Sequence, residues 1–238
     1  MQYITDNFPG FGKFPYFLKQ FVTGNKMQHV LDVGGGANPM LETGLVSRYD
    51  LLDIDDVEIS KAEKSYDNSF CYDACGDMNE FINSEGGKYD LVFSHMCMEH
   101  LNDPLSAHYN IYRLLKRGGC AIHLYPSKNN LPLLVNSLVP EWLSFQLVRF
   151  FQPERDLEGS TGKFPAYYKL CGPASKKLHS NFESIGFTVV THDSYTGHSY
   201  YKNIPIVNYL ESKLRRLIVK LGIPIISLNV LILKKEGS

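Results

Sequence analysis

The chain has 238 residues, 44% of them hydrophobic and 21% charged, with a formal net charge of −1 at neutral pH. That length suits one large α/β domain with an elaboration, and near-neutral charge without a basic stripe disfavours a nucleic-acid partner. Five cysteines (71, 75, 97, 120, 171) contain no C-x-x-C pair, so they read as reduced core residues of a cytoplasmic protein and not as metal ligands or a disulfide framework.

The first 24 residues form an N-terminal cap segment, in which Phe8-Pro-Gly-Phe-Gly-Lys-Phe-Pro-Tyr-Phe17 is aromatic and rich in turn residues. Next, Val30-Leu-Asp-Val-Gly-Gly-Gly-Ala-Asn-Pro39 runs from a buried-strand pattern straight into three glycines. A turn of that kind lets a ligand lie on the backbone, because glycine permits positive φ and lacks the Cβ that would block it. Two cofactor families use such a turn. A dinucleotide fingerprint, G-x-G-x-x-G, fits at Gly34 and Gly36, but its third glycine falls on Pro39. Asp32, on the strand end, also favours a cationic ligand over a pyrophosphate.

The remaining elements follow in order. Tyr49-Asp-Leu-Leu-Asp-Ile-Asp55 reads as a second strand, with Asp53 lying 21 residues beyond Asp32 (53 − 32) and Asp55 and Asp56 as loop and cap residues. Further segments stand out at Phe70-Cys-Tyr-Asp-Ala-Cys75, at Tyr89 to Pro104 and at Leu114 to Pro126. Strands near 29–33, 48–54, 69–73, 89–94 and 119–125 are separated by segments long enough for crossover helices, which requires a parallel sheet covered on both faces. A helix around 173–185 then leads into a strand over Phe187–Asp193, and a helix around 204–221 into a strand over Ser227–Lys234. Lys213, Arg215, Arg216 and Lys220 read as a solvated helix face.

Asp32 with Gly34 and Gly36 resembles motif I of the class I S-adenosylmethionine (SAM) methyltransferases, and the later elements resemble that family's strands in order and spacing. Within it, the chain is similar to the broad methyltransferase type 11 group. A third glycine is common in the family where this chain has Asn38, which tolerates left-handed conformations. The resemblance implies a Rossmann-like three-layer α/β/α sandwich whose seven-stranded, mostly parallel sheet has the order 3-2-1-4-5-7-6. It implies SAM as cofactor and S-adenosylhomocysteine as product. Gly34, Gly35 and Gly36 would support the methionine part, Asp53 with Ile54 the ribose, and Asp73 with Ala74 the adenine. Ser94 and His95 would complete the cofactor site at the carboxyl ends of the strands.

Residues 127–172 depart from a minimal fold of this type. Leu131 to Phe151 is apolar and broken by Pro132 and Pro140, and a polar loop over 154–163 leads to Phe164-Pro-Ala-Tyr-Tyr168. So long a connection suggests a helical lid that shapes the acceptor pocket, with Trp142, Tyr167, Tyr168 and Tyr200 as substrate-binding residues. Packing of this apolar segment onto the sheet is the competing reading. An in-plane membrane anchor there is disfavoured, because Arg149 and Arg155 alone do not make a basic face. The N-terminus does not read as a signal peptide, and no apolar run reaches membrane-spanning length.

The implied function is transfer of a methyl group from SAM to a small-molecule, glycan or lipid-linked acceptor, with a hydroxyl oxygen as the target. His95 and His198 are the candidate bases for removing its proton. No metal-ligand spacing is apparent. Two other readings stand beside this one. An NAD(P)-dependent oxidoreductase is opposed by Pro39 and by the lack of a Tyr-x-x-x-Lys pair, and a catalytically inactive binding or regulatory scaffold is opposed by the intact set of Asp32, Gly34, Gly36, Asp53 and Asp73.

Overall fold

A computed structural model describes residues 3–4, 10–62, 65–130, 165–198, 201, 204–223 and 225–237. Trp142, Tyr200 and most of the expected lid, residues 131–164, lie outside these ranges.

The parallel part of the sheet is built from strands that read as apolar in sequence: β2 (His29–Val33), β3 (Arg48–Asp53), β4 (Asn68–Cys71), β5 (Tyr89–His95) and β6 (Leu115–Pro126). The last two strands are β7 (Phe187–Tyr195) and β8 (Leu228–Lys235), preceded by the short β1 (Tyr3–Ile4). The eight strands lie in the order β1-β7-β8-β6-β5-β2-β3-β4, and only β8 runs antiparallel to its neighbours. Counting from β2 as the first strand, this is the expected order 3-2-1-4-5-7-6. The addition is β1, which pairs in parallel with the outer edge of β7, Tyr3 opposite Ser194.

Period-two alternation divides the core between the two faces of the sheet. Val30, Leu91 and Phe93 point to one face, and Leu31, Val33 and Val92 to the other. The first face is covered by α1 (Gly10–Gly24) and α2 (Asp56–Ala62). The second is covered by α3 (Asn79–Glu85), α4 (Pro104–Leu114) and α5 (Lys176–Glu183). A last helix, α6 (Pro205–Lys220), joins β7 to β8. Asp103 caps α4 through a 3.2 Å bond from the Ser106 amide, and Ser175 caps α5 from the Leu178 amide at the same distance.

The cap segment, to which the sequence reading gave no secondary structure, is helical over residues 10–24 with Pro15 inside. As the sixth residue of the helix, Pro15 removes one intrahelical hydrogen bond, a cost that burial of the apolar face must offset. Phe14, Leu18 and Val22 recur every fourth residue and are buried on the sheet.

Candidate functional site

The carboxyl ends of β2, β3 and β5 meet at one edge, and the glycine turn after β2 sits on it. The Gly34 amide donates to the Leu52 carbonyl at 2.8 Å, holding the turn against β3. Gly34 and Gly36 have φ of +73° and +53°, a region where side chains are disfavoured. Space forbids a side chain as well. A Cβ on Gly34 would lie 2.6 Å from Cys97 Sγ, and one on Gly35 would lie 2.5 Å from the Asp32 carboxylate.

Asp32 is therefore packed directly beneath the turn, completely buried. Its Oδ2 accepts from the Tyr49 hydroxyl at 2.9 Å and the Tyr66 hydroxyl at 3.2 Å. Its Oδ1 has no hydrogen-bond partner, and among the described residues no cationic side chain forms an ion pair with it. Burial pushes its pKa up to about 7; the two tyrosine bonds oppose that rise and the Asp53 charge adds to it.

Asp53 closes the other side of the turn. One oxygen accepts from the Gly36 amide at 3.1 Å and the other from the Asp55 amide at 3.0 Å. Burial raises its pKa, against those backbone bonds. Ile54, the next residue, is exposed. Asp55 caps α2 by accepting from the Val57 amide at 2.8 Å. Asp73 lies two residues past the end of β4, exposed, with one oxygen taken up by the Cys75 amide at 2.8 Å; Ala74 follows it, half-buried.

The loop after β5 gives a more divided result. His95 ends the strand on the α1 side, stacked on Phe14 at 5.4 Å between ring centres. Burial lowers its pKa. Ser94 points the opposite way, and its hydroxyl lies 2.8 Å from Nδ1 of the buried His123. His198 is held by α6, its Nε2 3.0 Å from Glu211 Oε1, which also pairs with Arg215. The end of β7, from which His198 follows, is three strand spacings from β5, or about 14 Å. His95 thus ends the strand beside β2, whereas His198 follows a strand further along the sheet.

Tyr167 and Tyr168 lie just beyond residues 131–164, where the described chain meets this edge again. Both their amides donate to the Glu99 carbonyl, at 2.7 and 3.1 Å. Glu99 sits on a single 3-10 turn (Met98–His100) just past β5, and the sequence reading passed it over. Its carboxyl is buried, with Oε2 lacking a hydrogen-bond partner, and burial pushes its pKa up to about 7. The Cys97 and Cys171 thiols are raised first by burial and next by the Glu99 charge, so the three groups lie near one another. Of the four non-glycine residues with positive φ among the described residues, three (Met96, Tyr168 and Leu170) lie close in sequence to these groups. Strained backbone of this kind gathers at functional sites. No sequence signal distinguishes Glu99, because a glutamate beside a turn ordinarily faces water.

A family profile described as "Methyltransferase domain" matches residues 13–192. Solved structures share the fold at low identity. The [4+2]-cyclase SpnF is 13% identical with a TM-score of 0.54, over 99% of this chain and 86% of that one. Phosphoethanolamine N-methyltransferase 2 of Haemonchus contortus, in complex with S-adenosyl-L-methionine, is 16% identical with a TM-score of 0.55, over 98% of this chain and 55% of that one. The trans-methyltransferase CalH, in complex with SAH, is 16% identical with a TM-score of 0.54, over 93% of this chain and 55% of that one. A search of the curated proteins gave no match.

Proposed function

The chain belongs to the methyltransferase domain family, and we propose that it moves a methyl group from SAM to a hydroxyl oxygen of a small-molecule, sugar-linked or lipid-linked acceptor. The observation that carries this reading is the buried Asp32 carboxylate under the glycine turn, with one oxygen unpartnered. A buried carboxylate without a counter-charge is costly. A ligand bearing an ammonium and a sulfonium group supplies that charge, whereas a dinucleotide pyrophosphate would add repulsion.

The residues present fit such a cofactor. Gly34 and Gly35 let the turn close onto Cys97 and the Asp32 carboxylate, contacts that any Cβ would break. Asp53 has both oxygens fixed by backbone amides, so its remaining lone pairs are aimed, ready to accept from two ribose hydroxyls. Asp73 and Ala74 stand beyond β4 as the adenine-recognising pair. Ser94 contributes through its place at the strand end, since its hydroxyl serves His123. The cofactor, when bound, supplies a methyl group on a positively charged sulfur.

The work left to the protein is to orient the reactants and exclude water. Phe14 and Phe93, in contact at 6.5 Å between ring centres, make that side of the edge apolar. His95 acts as the base for the acceptor hydroxyl, since its lowered pKa keeps the imidazole neutral near pH 7. Tyr167 and Tyr168 border the acceptor side, and Glu99 offers its unpartnered oxygen to a second polar group of the acceptor. His198 is assigned to anchoring α6 and not to proton transfer.

The test is transfer of an isotope-labelled methyl from SAM to a panel of hydroxylated compounds, with the product bond identified by mass spectrometry. A labelled ether and a fall of roughly a hundredfold in kcat for His95→Gln, at unchanged S-adenosylhomocysteine affinity, are expected. A labelled amine or thioether would overturn the oxygen assignment.

A further inference from the structure

Helix α6 is built inside out. Its inward side carries Glu211, which is buried, and Arg215, which pairs with it through Nε at 3.0 Å. Its outward side carries Ile206, Leu210, Leu214, Leu217 and Leu221, each at least half exposed, between 50% and 75%. Spacings of four, four, three and four residues place these five on one arc of the helix. Burying a leucine is worth about 1.5–3 kcal/mol relative to leaving it in water, so an exposed row of this length marks a surface meant to be covered.

Charge identifies the cover. Lys213, Arg216 and Lys220 are exposed along one flank of the apolar row, at the angles that 100° per residue gives them. Lys213 lies over the Tyr209 ring at 5.4 Å. The only acid in residues 205–223 is Glu211, on the opposite side and engaged with His198. A second copy of the chain would bring two such basic rows together. An anionic bilayer instead accepts the apolar row among its acyl chains and the basic row at its headgroups.

Position supports the same partner. Tyr195, the last residue of β7, pairs with Leu228, the first of β8, and the Ser227 amide donates to the Tyr195 carbonyl at 2.7 Å. The helix therefore leaves from and returns to the sheet edge that carries the glycine turn. At 16 residues it is about 24 Å long, and among the described residues no helix is long and apolar enough to cross a membrane. We propose that α6 docks in the plane of an anionic membrane surface, holding the strand-end edge of the sheet towards the bilayer. This docking goes beyond the methyl-transfer reading and does not depend on it. Only its consequence, delivery of a lipid-linked acceptor to the site, rests on that reading.

The test is flotation of the full chain with phosphatidylcholine vesicles, with and without phosphatidylglycerol. Flotation with the anionic vesicles alone, reversed by high salt, is expected. Lys213→Glu with Arg216→Glu and Lys220→Glu should weaken it on the order of a hundredfold. Leu214→Asp with Leu217→Asp should weaken it at least as much, roughly a hundredfold or more, with thermal stability and S-adenosylhomocysteine affinity unchanged. No flotation with either vesicle, or flotation indifferent to both variants, would overturn the docking. So would a concentration-dependent dimer in sedimentation that Leu214→Asp abolishes. Flotation without S-adenosylhomocysteine binding would leave the docking standing and remove the methyl-transfer reading instead.

Discussion

Two aspartates on neighbouring strands are equally buried and differently treated. Asp50, on β3, meets Arg48 Nε at 2.6 Å, the Tyr89 hydroxyl at 2.7 Å and the Asn68 amide at 2.8 Å. Asp32, on β2, receives two tyrosine hydroxyls and no cation, and one of its oxygens is left without a partner. Asp50 brings its own counter-charge and is complete within the protein. Under the proposed function a positive ligand at the glycine turn supplies the charge that Asp32 lacks. On that reading the first acid serves the fold and the second serves the ligand.

The comparison can be broken at either acid. The largest effect is expected at Asp50→Ala, which takes one of the two carboxylates from Arg48 and the acceptor from the Tyr89 hydroxyl, and should cost about 3 kcal/mol of stability while leaving S-adenosylhomocysteine affinity intact. Denaturant unfolding with a parallel titration measures both, and a loss of affinity at unchanged stability would make Asp50 a ligand residue. Next comes Gly34→Val, where a β-branched side chain at positive φ meets Cys97. Affinity should fall by at least a hundredfold, about 2.7 kcal/mol, and unchanged affinity would remove the turn from the site.

Asp53→Ala should weaken SAM and S-adenosylhomocysteine alike by about 1.5–3 kcal/mol, since both keep the ribose. If only turnover fell, the ribose assignment would be wrong. The most discriminating change is Asp32→Asn, read against pH. In the ligand-free protein the Asp32 pKa is raised from 3.8 to about 7. The folded state then holds a proton that the unfolded state has released. This group's contribution to stability is therefore greatest at acid pH and is lost as pH rises from about 4 to about 7. Cation binding favours the ionised form, so SAM affinity should climb by up to about tenfold per pH unit below 7 and level off above it. Asp32→Asn should flatten that climb, and a profile identical to that of the natural protein would show that Asp32 does not sense the ligand.

Much of this contrast was legible in the sequence, because the cofactor side is local. Strand, turn and acid fall within ten residues at Val30–Pro39, and Asp53 ends the next strand in a run of apolar neighbours. Other features depend on what packs against them. Pro15 argues against a helix, yet burial of Phe14, Leu18 and Val22 on the sheet decides for one. Glu99 has no local mark; the return of Tyr167 and Tyr168 onto its carbonyl sets the chain against it, and its sequence distance from them hides the contact. His198 and His95 look equivalent as side chains, and only strand order and the Glu211 contact separate them. Lys213, Arg216 and Lys220 of α6 do read as an outward face, but Arg215, expected with them, turns inward to the buried Glu211 and leaves the leucines outside.

The most direct measurement is calorimetric titration of the chain with S-adenosylhomocysteine and, separately, with NADH, each repeated on Gly34→Val. Binding of S-adenosylhomocysteine alone, on the order of micromolar and abolished by Gly34→Val, is the predicted result. Binding of NADH, or S-adenosylhomocysteine affinity indifferent to Gly34→Val, would contradict the assignment of the glycine turn and Asp32 to a cationic methyl donor.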